Sequence, residues 1–551
     1  ADARQKAAHN EFLGTGGSLY YLRHKPVIEG SEKVKIEIRN KDTDIVIAQV
    51  AQEQGKHYEI DYSNARIMFY SPVSQIAQSS SIISNALLDG NPLYVVVDYE
   101  YEVNAVYSKA SYGGRVEQSL SSLFSSKSTV GSLIKDIRIG GTYIKDEQDT
   151  GDYRLNGLDA SIYLGSHTEI TAEYADSQAQ GLEGFMSTDG GLTFTETPTA
   201  GTAHGKAYSV KAKTRLFDRI DILGYYRQIG RGFSDSSAIS EQGKESAGVY
   251  AAWDFTDKIK FRLTHDMQKL LSGGSTAAIA QIGASRTDTT KLQASQEWEK
   301  LKLTGEFRHV EVSGRNDKYI TETNDSGNTV ALRGDYDISK SMSVFLEQQA
   351  TLNDGEDGKS NNQTTAGFSA QIFKWLKLKV SETVGTEGNA TSIGTNAKID
   401  DRSEIYNTYS LSNTAMDGRK NTIVSGGRTK VTENMDFTTE MQNTSSSKEI
   451  SRTNIFGLNG EINERWGLSG SYERGMVQSY TGDISKRSAG SIGLSYIERW
   501  RIRASSKIEL RLDEGQQREW QYLSYNALQW QVDRDTTLFG KINLSESKNT
   551  T

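Results

Sequence analysis

Apolar and polar side chains alternate along most of this chain, in segments of about ten residues. In "TDKIKFRLTHD" (Thr256–Asp266), Ile259, Phe261 and Leu263 alternate with basic and hydroxyl side chains. A period of two is that of a β-strand with one apolar and one polar face, whereas a helix repeats every 3.6 residues. The same alternation predicts that one apolar face also carries Leu301, Leu303, Phe307, Leu376, Leu378, Val380, Leu468 and Tyr472.

From about Leu133 onward these segments repeat one unit, which is a strand, a very short turn, a second strand and a longer polar loop. The short turns include "FDR", "TDK" and "SKS", and the longer loops include "SGRNDKYITETNDSGN". We count about 23 strands from Leu133, and "RVEQSLSSL" would add one. Single-chain bacterial barrels have even strand numbers, so either that segment or a strand beyond Thr551 completes an expected total of about 24, within a range of 22–26.

Six of the seven tryptophans lie at the same end of their hairpins, the end with the short turn. Each of the six lies within a few residues of a short turn, whereas Trp520 lies at the opposite end of its strand. Indole rings are enriched at membrane–water interfaces, and a soluble core would instead place them in the middle of strands. We therefore predict a membrane-interface belt of Trp253, Trp298, Trp375, Trp466, Trp500 and Trp530.

Two architectures have strands with one apolar face, namely a soluble array of β-sandwiches and a transmembrane β-barrel. The tryptophan belt, the alternation of short and long loops, and the Lys, Arg, Glu and Gln residues on nearly every polar face favour the barrel. Charges buried inside a sandwich would each need a partner at substantial cost. On this interpretation the apolar set named above faces lipid, and Glu473 faces water in the lumen.

The first hundred residues follow a different pattern. Short strands such as "SLYYLR", "EKVKIEIRN", "HYEIDY" and "PLYVVVDYEYEV" are separated by turn-rich breaks. Six or seven strands at this spacing predict a β-sandwich of immunoglobulin-like size over residues 1–105. Residues 106–132 are rich in Ser and Gly and form either a linker or the first wall strand. The barrel is expected to occupy residues 133–551.

The composition narrows the possible classes of protein. The chain has 551 residues, with 27 Tyr, 16 Phe and 7 Trp, which is too aromatic for a disordered chain. Glycine is abundant (51) and proline nearly absent (4), as suits long paired strands. The absence of cysteine excludes disulfides, thiolate nucleophiles and iron–sulfur clusters. A net charge of −8 without a dense basic face argues against nucleic-acid binding.

Candidate chemistry is sparse. The seven histidines are dispersed without metal-ligand spacing, and no GxSxG, P-loop or HExxH motif occurs. Asp354, Glu356 and Asp357 form an acidic loop tip that is a weak calcium candidate, for which a solvated hairpin tip is the favoured interpretation. We therefore expect no catalytic residues, no cofactor and no metal, and no enzymatic activity.

The repeated hairpins, of which "ERWGLSGSYE" and "TDKIKFRLTHD" are examples, resemble the large outer-membrane β-barrel proteins of Gram-negative bacteria. The resemblance is architectural and covers roughly Leu133 to Leu544. The N-terminal "SLYYLRHKPVIEGSEKVKIEIRN" is similar to β-sandwich modules that precede some large barrels. Such barrels usually end in a strand with a terminal aromatic residue, and "NLSESKNTT" does not, so we expect the chain to continue beyond Thr551.

The size of the expected barrel bears on its function. About 24 tilted strands make a cylinder roughly 45–50 Å across, and an open hole of that width would defeat the membrane's barrier. We therefore expect a gated conduit, porin-like or for secretion, whose lumen is filled by the N-terminal module, by loops or by a protein partner. Two alternatives are an outer-membrane anchor for surface adhesin modules and a soluble all-β adhesin.

Overall fold

The computed structural model of the chain describes residues 5–15, 17–39, 46–54, 57–62, 65–69, 73, 76–77, 81–84, 91–102, 111–121, 134–146, 153–179, 183–191, 194–197, 203–233, 241–271, 285–316, 321–353, 360–414, 418–447, 449–480, 482, 484–498, 501–515, 518–532 and 537–550. All of its named secondary-structure elements are β-strands. Among the described residues, no helix is long and apolar enough to span a membrane.

Eight strands precede the barrel and belong to a small N-terminal domain. They are β1 (Gln5–Leu13), β2 (Leu19–Tyr21), β3 (Lys33–Arg39), β4 (Val46–Ala51), β5 (Tyr58–Asp61), β6 (Arg66–Phe69), β7 (Ile76–Ala77) and β8 (Asn91–Glu102). Two sheets result, of which the smaller has the order β2–β6–β5. The larger includes β1, β8, β3 and β4 in that order, and β7 pairs with β8.

The two sheets of the N-terminal domain enclose one apolar core. Phe12, Tyr20, Ile67, Val95 and Val97 lie at its centre and have no solvent exposure. Full burial of such side chains contributes about 1.5–3 kcal/mol each relative to leaving them exposed, so this core is a main source of the domain's stability. The predicted small β-sandwich is thus confirmed, whereas its immunoglobulin-like character stays a prediction.

A further 24 strands close into an antiparallel barrel, which confirms the predicted architecture and strand number. They are β9 (Ser111–Ser119), β10 (Ile134–Asp146), β11 (Tyr153–Leu164), β12 (Thr168–Ala179), and, after the hairpin of β13 (Glu183–Ser187) and β14 (Thr195–Thr197), β15 (Ala203–Leu216), β16 (Ile220–Ile229), β17 (Lys244–Asp254), β18 (Ile259–Leu270), β19 (Ser285–Glu297), β20 (Leu301–Asn316), β21 (Thr321–Ser339), β22 (Met342–Asn353), β23 (Gln363–Phe373), β24 (Leu376–Gly385), β25 (Gly388–Lys398), β26 (Ser403–Thr414), β27 (Gly418–Thr432), β28 (Met435–Ser445), β29 (Glu449–Glu461), β30 (Trp466–Ser479), β31 (Ile484–Glu498), β32 (Ile502–Glu514), β33 (Arg518–Gln531) and β34 (Thr537–Thr550).

The barrel closes through β9, which lies between β10 and β34. The sequence predicts that residues 106–132 are either a linker or the first wall strand. Within this segment, Ser111–Ser119 form a strand of the wall. In the antiparallel pair, Ser111 lies opposite Asp146 and Ser119 opposite Arg138. The chain thus enters β9 at the end of the barrel opposite the short turns. The other boundaries of the predicted domains lie outside the described residues.

Strict alternation of short and long loops was expected, and this expectation is wrong for the second half of the barrel. Fourteen residues join β16 to β17, but only two join β24 to β25 on the same side. The predicted polar loop at "SGRNDKYITETNDSGN" is mostly strand, because β20 and β21 extend into it. A hairpin that rises beyond the hydrocarbon needs no apolar face, so polar residues continue the strands.

The β13–β14 hairpin does not belong to the wall. It is carried by the connection between β12 and β15, yet it joins the larger sheet of the N-terminal domain. β13 pairs in parallel with β1, from Ala8 opposite Glu183 to Phe12 opposite Ser187. The larger sheet therefore has the order β14–β13–β1–β8–β3–β4. Its first two strands come from a connection between two strands of the barrel.

Candidate functional site

The N-terminal domain lies inside the barrel, against the polar face of the wall. Its residues form hydrogen bonds and ion pairs with side chains of β20, β22, β28, β30, β32 and β33. These strands are spread over more than half of the barrel's circumference. These wall side chains point inward, and their neighbours one position along each strand point outward. In β30, Glu473 is 3% exposed, and the adjacent Tyr472 is 48% exposed.

The outward face carries the predicted lipid-facing residues. Phe261, Leu263, Leu303 and Tyr472 are among the exposed large hydrophobic side chains of the wall. Seven others are half-buried by neighbours on the same face, namely Ile259, Leu301, Phe307, Leu376, Leu378, Val380 and Leu468. Contact of this face with lipid stays a prediction. Further apolar residues that we did not single out from the sequence share the outer face, among them Leu158, Leu332, Leu346, Ile492 and Leu510.

Five predicted belt residues lie at the short-turn ends of their strands, and their side chains are between 39% and 45% exposed: Trp253, Trp298, Trp375, Trp466 and Trp530. Trp500 lies outside the described residues. Other aromatic rings accompany them, such as Phe373, which stacks on Trp375 with ring centroids 5.3 Å apart. Sequence reasoning missed these rings because phenylalanine at a turn is not by itself an interface signal. The role of the belt as a membrane interface stays a prediction.

A closed barrel with an apolar outer face and a polar inner face is the architecture of outer-membrane proteins, because it satisfies every strand edge within the membrane. The chain has this closed-barrel fold, and its place in the outer membrane of a Gram-negative bacterium stays a prediction. The soluble sandwich array is accordingly wrong as an alternative. The polar face, in turn, covers a folded domain over much of its area instead of open water.

The most highly charged contact joins the β5–β6 hairpin to β30 and β32. The Arg66 guanidinium donates to Glu473 Oε2 at 2.8 Å and to Ser471 Oγ at 2.9 Å. Asp61 accepts from both Arg66 and Lys507. The expected water-facing position of Glu473 is therefore wrong, because Arg66 of the N-terminal domain replaces water as its partner. A buried pair of this kind is costly to break from one side only.

A second contact joins the segment before β2 to β28. The backbone N–H and the hydroxyl of Ser18 donate to the two carboxylate oxygens of Glu440, at 2.9 and 3.1 Å. Gln442 Nε2 donates to the backbone carbonyl of Thr15 at 3.2 Å. Tyr406 of the wall donates to the same carboxylate of Glu440. The Glu440 side chain thus holds both the backbone and the side chain of Ser18 in the N-terminal domain.

A third contact holds Ser81–Ser84 against β20 and β22. Gln349 Oε1 accepts from the backbone N–H of Ser84 at 2.7 Å, and Gln349 Nε2 donates to the carbonyl of Ser84 at 3.0 Å. The Glu306 carboxylate accepts from the Ser81 hydroxyl and from the N–H of Ile82. Gln349 has no solvent exposure. One amide side chain therefore satisfies both backbone groups of a residue that belongs to no strand.

The face of the larger sheet that points away from the apolar core is charged. His9 Nδ1 lies 2.6 Å from Asp98 Oδ1, and His9 Nε2 lies 3.0 Å from Glu11 Oε1. Arg39 then joins Glu11 to Glu37, with both contacts at 2.9 Å. All of these side chains are at most 11% exposed. These alternating charges extend across β8, β1 and β3 and form one network, in which each charged group contacts a group of opposite charge.

This network shifts the pKa values of its members. Burial alone would lower the pKa of His9, but hydrogen bonds with Asp98 and Glu11 outweigh it and raise the pKa to about 9. Burial would raise the pKa of Glu11, yet His9 and Arg39 together lower it to about 2. Glu241 lies in the β16–β17 connection near Glu37 and Arg39, and burial raises its pKa in spite of Arg227. The charged face therefore meets charged groups of the barrel.

A cleft of about 670 Å³ remains between the N-terminal domain and the wall. One side is formed by residues of the domain that include Pro26, Ile60 and Arg66, and the other by β28–β33 near the short turns. The wall side carries many small polar or glycine residues, among them Gly457, Ser469, Ser471, Ser491, Gly493 and Ser505. Small side chains leave this space unfilled, so the lumen is occupied but not packed to the density of a core.

The remaining site predictions concern metals. Asp354, Glu356 and Asp357 lie outside the described residues, so the calcium candidate stays a prediction. Within the ranges that the structure describes, no group of three or more His, Asp or Glu side chains is arranged to hold a metal ion.

Comparisons with known proteins give structural likeness only. No family model matches the sequence, and no curated protein does. The ferric-catecholate import receptor Fiu from E. coli K12 matches with a TM-score of 0.35 and 9% identity, over 76% of this chain and 87% of that one. The siderophore receptor PirA from Pseudomonas aeruginosa gives 0.33 and 8%, over 82% of each chain. The copper transporter OprC gives 0.33 and 9%, over 87% of each chain.

Proposed function

We propose that this protein is a gated conduit of the outer membrane whose lumen is plugged by its own N-terminal domain, called the plug from here on. The observation that carries the proposal is the set of bonds from one small folded domain to wall strands between β20 and β33. A domain held on opposite sides of a lumen blocks it. A permanently open porin has no such domain, so a gated conduit is favoured over a porin.

The chemistry of the plug–wall contact supports gating. The plug core is apolar, but the plug contacts the wall through many hydrogen bonds and ion pairs, such as those of Ser18, Arg66 and Ser84. Among the described residues, the apolar contact between them is a small cluster in which Leu19 and Tyr21 pack against Ile455 of the wall. Water can replace hydrogen bonds to polar groups at little net cost, whereas exposure of an apolar interface of similar area would cost far more. The plug can therefore leave or shift as a folded unit. A permanent seal would be better served by apolar packing.

The cleft beside β28–β33 suggests where a path begins. It already separates the plug from the wall at the short-turn end, and its wall side mixes small polar and glycine residues with apolar ones such as Ile455. Movement of the plug toward the opposite wall, or partial unfolding near Arg66, would lengthen this space along the barrel axis.

Conductance in planar bilayers tests the proposal. The full chain should give small or rare currents, and a chain that begins at Ser111 should give large currents because the wall strands are retained and the plug is removed. The matched control is the full chain with Asp159→Asn, which alters an exposed ion pair of the wall and should leave the small currents unchanged. A barrel that stays sealed without the plug would overturn the conduit and favour the surface anchor instead.

A further inference from the structure

Among the described residues, the β13–β14 hairpin is the one part of the barrel's connecting loops that adds strands to the larger sheet of the plug. The hairpin is inserted between β12 and β15 in the chain, and the ends of these two strands pair with each other through Ala179 and Ala203. Only three residues separate β12 from β13, and five separate β14 from β15. This end of the barrel lies opposite the short turns and carries the longest connections, which places it on the outer side of the membrane.

Three kinds of contact fix the hairpin to the plug. The first is the parallel pairing of β13 with β1, over five residue pairs that end at Phe12 opposite Ser187. The second is a backbone hydrogen bond from the Tyr21 N–H to the carbonyl of Gly190, at 2.8 Å. The hairpin thus bonds to two plug strands, β1 and β2, which belong to different sheets.

The third kind of contact is aromatic. Phe194 meets Phe12 of the apolar core edge-on, with ring centroids 6.0 Å apart. Phe185 meets His24 edge-on at 5.3 Å, and the Arg23 guanidinium lies 5.5 Å from the Phe185 ring. The hairpin therefore covers part of the plug core and a basic side chain at its surface. Removing it would expose Phe12 and leave the edge of β1 without this partner.

We infer that the β13–β14 hairpin is a latch, by which a displacement of the outer connection between β12 and β15 loosens the plug. The inference rests on the proposed function. The stems are too short to let the ends of β12 and β15 move far while β13 stays paired. A ligand that moves this part of the outer surface must therefore either strain the β1–β13 pair or break it.

A point mutation in the turn of the hairpin can test the latch without a substitution in the plug. Gly191 has φ = +94°, and a Cβ built there would lie 2.0 Å from the carbonyl oxygen of Tyr21. Gly191→Val should therefore push the hairpin off β2 without changing any residue of the plug itself. Gly165→Val is the matched control, since Gly165 also has a positive φ (+57°) but has nothing within 4 Å of a built Cβ. It lies in the short turn between β11 and β12.

Conductance of the full chain in planar bilayers is the readout. Gly191→Val should raise the open fraction about tenfold over the wild type, and Gly165→Val should leave it unchanged. Hydrogen exchange at β3 and β8 should stay slow in both variants, which would show that the plug remains folded. A Gly191→Val protein that is as closed as the wild type would overturn the latch.

An engineered disulfide gives the opposite test. The chain has no cysteine, so Ala8→Cys with Glu183→Cys introduces a single possible bond, between two residues that face each other across the parallel pair. The oxidised protein should stay closed at a urea concentration that opens the wild type, and reduction should restore opening. Opening of the oxidised and reduced forms at the same urea concentration would contradict the latch. If the chain that begins at Ser111 conducts while both hairpin variants behave as wild type, only the latch fails. If that chain does not conduct, the conduit itself fails.

Discussion

At the scale of single residues, the buried pair of Arg66 and Glu473 should stabilise the seated plug. Glu473→Gln leaves the Arg66 guanidinium with a weaker partner in a site where Glu473 is 3% exposed, so we expect a loss of about 3 kcal/mol. Asp159→Asn is the control, because it weakens an exposed ion pair with Arg115 in the wall and should leave the seated plug as stable as in the wild type. Hydrogen exchange of β6 amides measures both. Equal effects of the two substitutions would contradict a special role for the buried pair.

The His9 network predicts a dependence of plug stability on pH. The pKa of folded His9 is about 9, above its ordinary value of 6.5, so its stabilising charge is fully present below pH 6.5 and is lost as the pH rises through 9. We expect the plug to lose about 2 kcal/mol between pH 7 and pH 9, or roughly 30-fold in the protection of β1 amides after correction for intrinsic exchange. His9→Gln should remove most of this dependence. An unchanged wild-type profile would contradict a charged His9.

At the scale of elements, one wall strand offers a comparison between its two faces. Gln349 of β22 points inward and bonds to both backbone groups of Ser84, whereas Gln348 points outward and is exposed. Gln349→Leu should leave the Ser84 N–H unsatisfied, at a cost of about 1–3 kcal/mol, and should speed exchange at Ile82 and Ser84, whereas the Ser84 carbonyl keeps its bond from Asn361 Nδ2. Gln348→Leu adds an apolar side chain to the outer face and should leave that exchange unchanged. The same rate in both variants would show that Ser81–Ser84 is held by something else.

At the scale of the whole molecule, the outer face should require a hydrocarbon environment. Apolar side chains such as Leu332, Ile492 and Leu510 are exposed around the wall, and a soluble monomer rarely exposes so large an apolar surface. The protein should therefore aggregate when detergent is removed. In vesicles, lipids brominated near the headgroup should quench its tryptophan fluorescence more than lipids brominated near the chain end. A protein that stays monodisperse without detergent would contradict the membrane assignment.

The wall was predictable from the sequence because its strands obey a local rule. Period two assigns each side chain to one of two faces, and short turns such as that between β17 and β18 fix neighbouring strands as antiparallel partners. The outward orientation of Phe261 and Leu263 and the position of Trp253 near a turn follow from these local facts alone. The strand number followed as well, since barrels close with an even count.

What occupies the polar side of the wall was decided only by the tertiary structure. Glu473, Glu440 and Gln349 carry no sign in the sequence that their partners are Arg66, Ser18 and Ser84, hundreds of residues away. A polar side chain satisfies the same alternation whether it meets water or a buried guanidinium, so the pattern cannot distinguish an open lumen from a filled one. The insertion of β13 beside β1 is equally non-local, because a parallel pair between distant segments leaves no turn signal between them. The sequence by itself thus determined the barrel, through forces that act along one strand and its neighbours. Only the folded chain determined how the lumen is filled, since that depends on which distant polar groups meet.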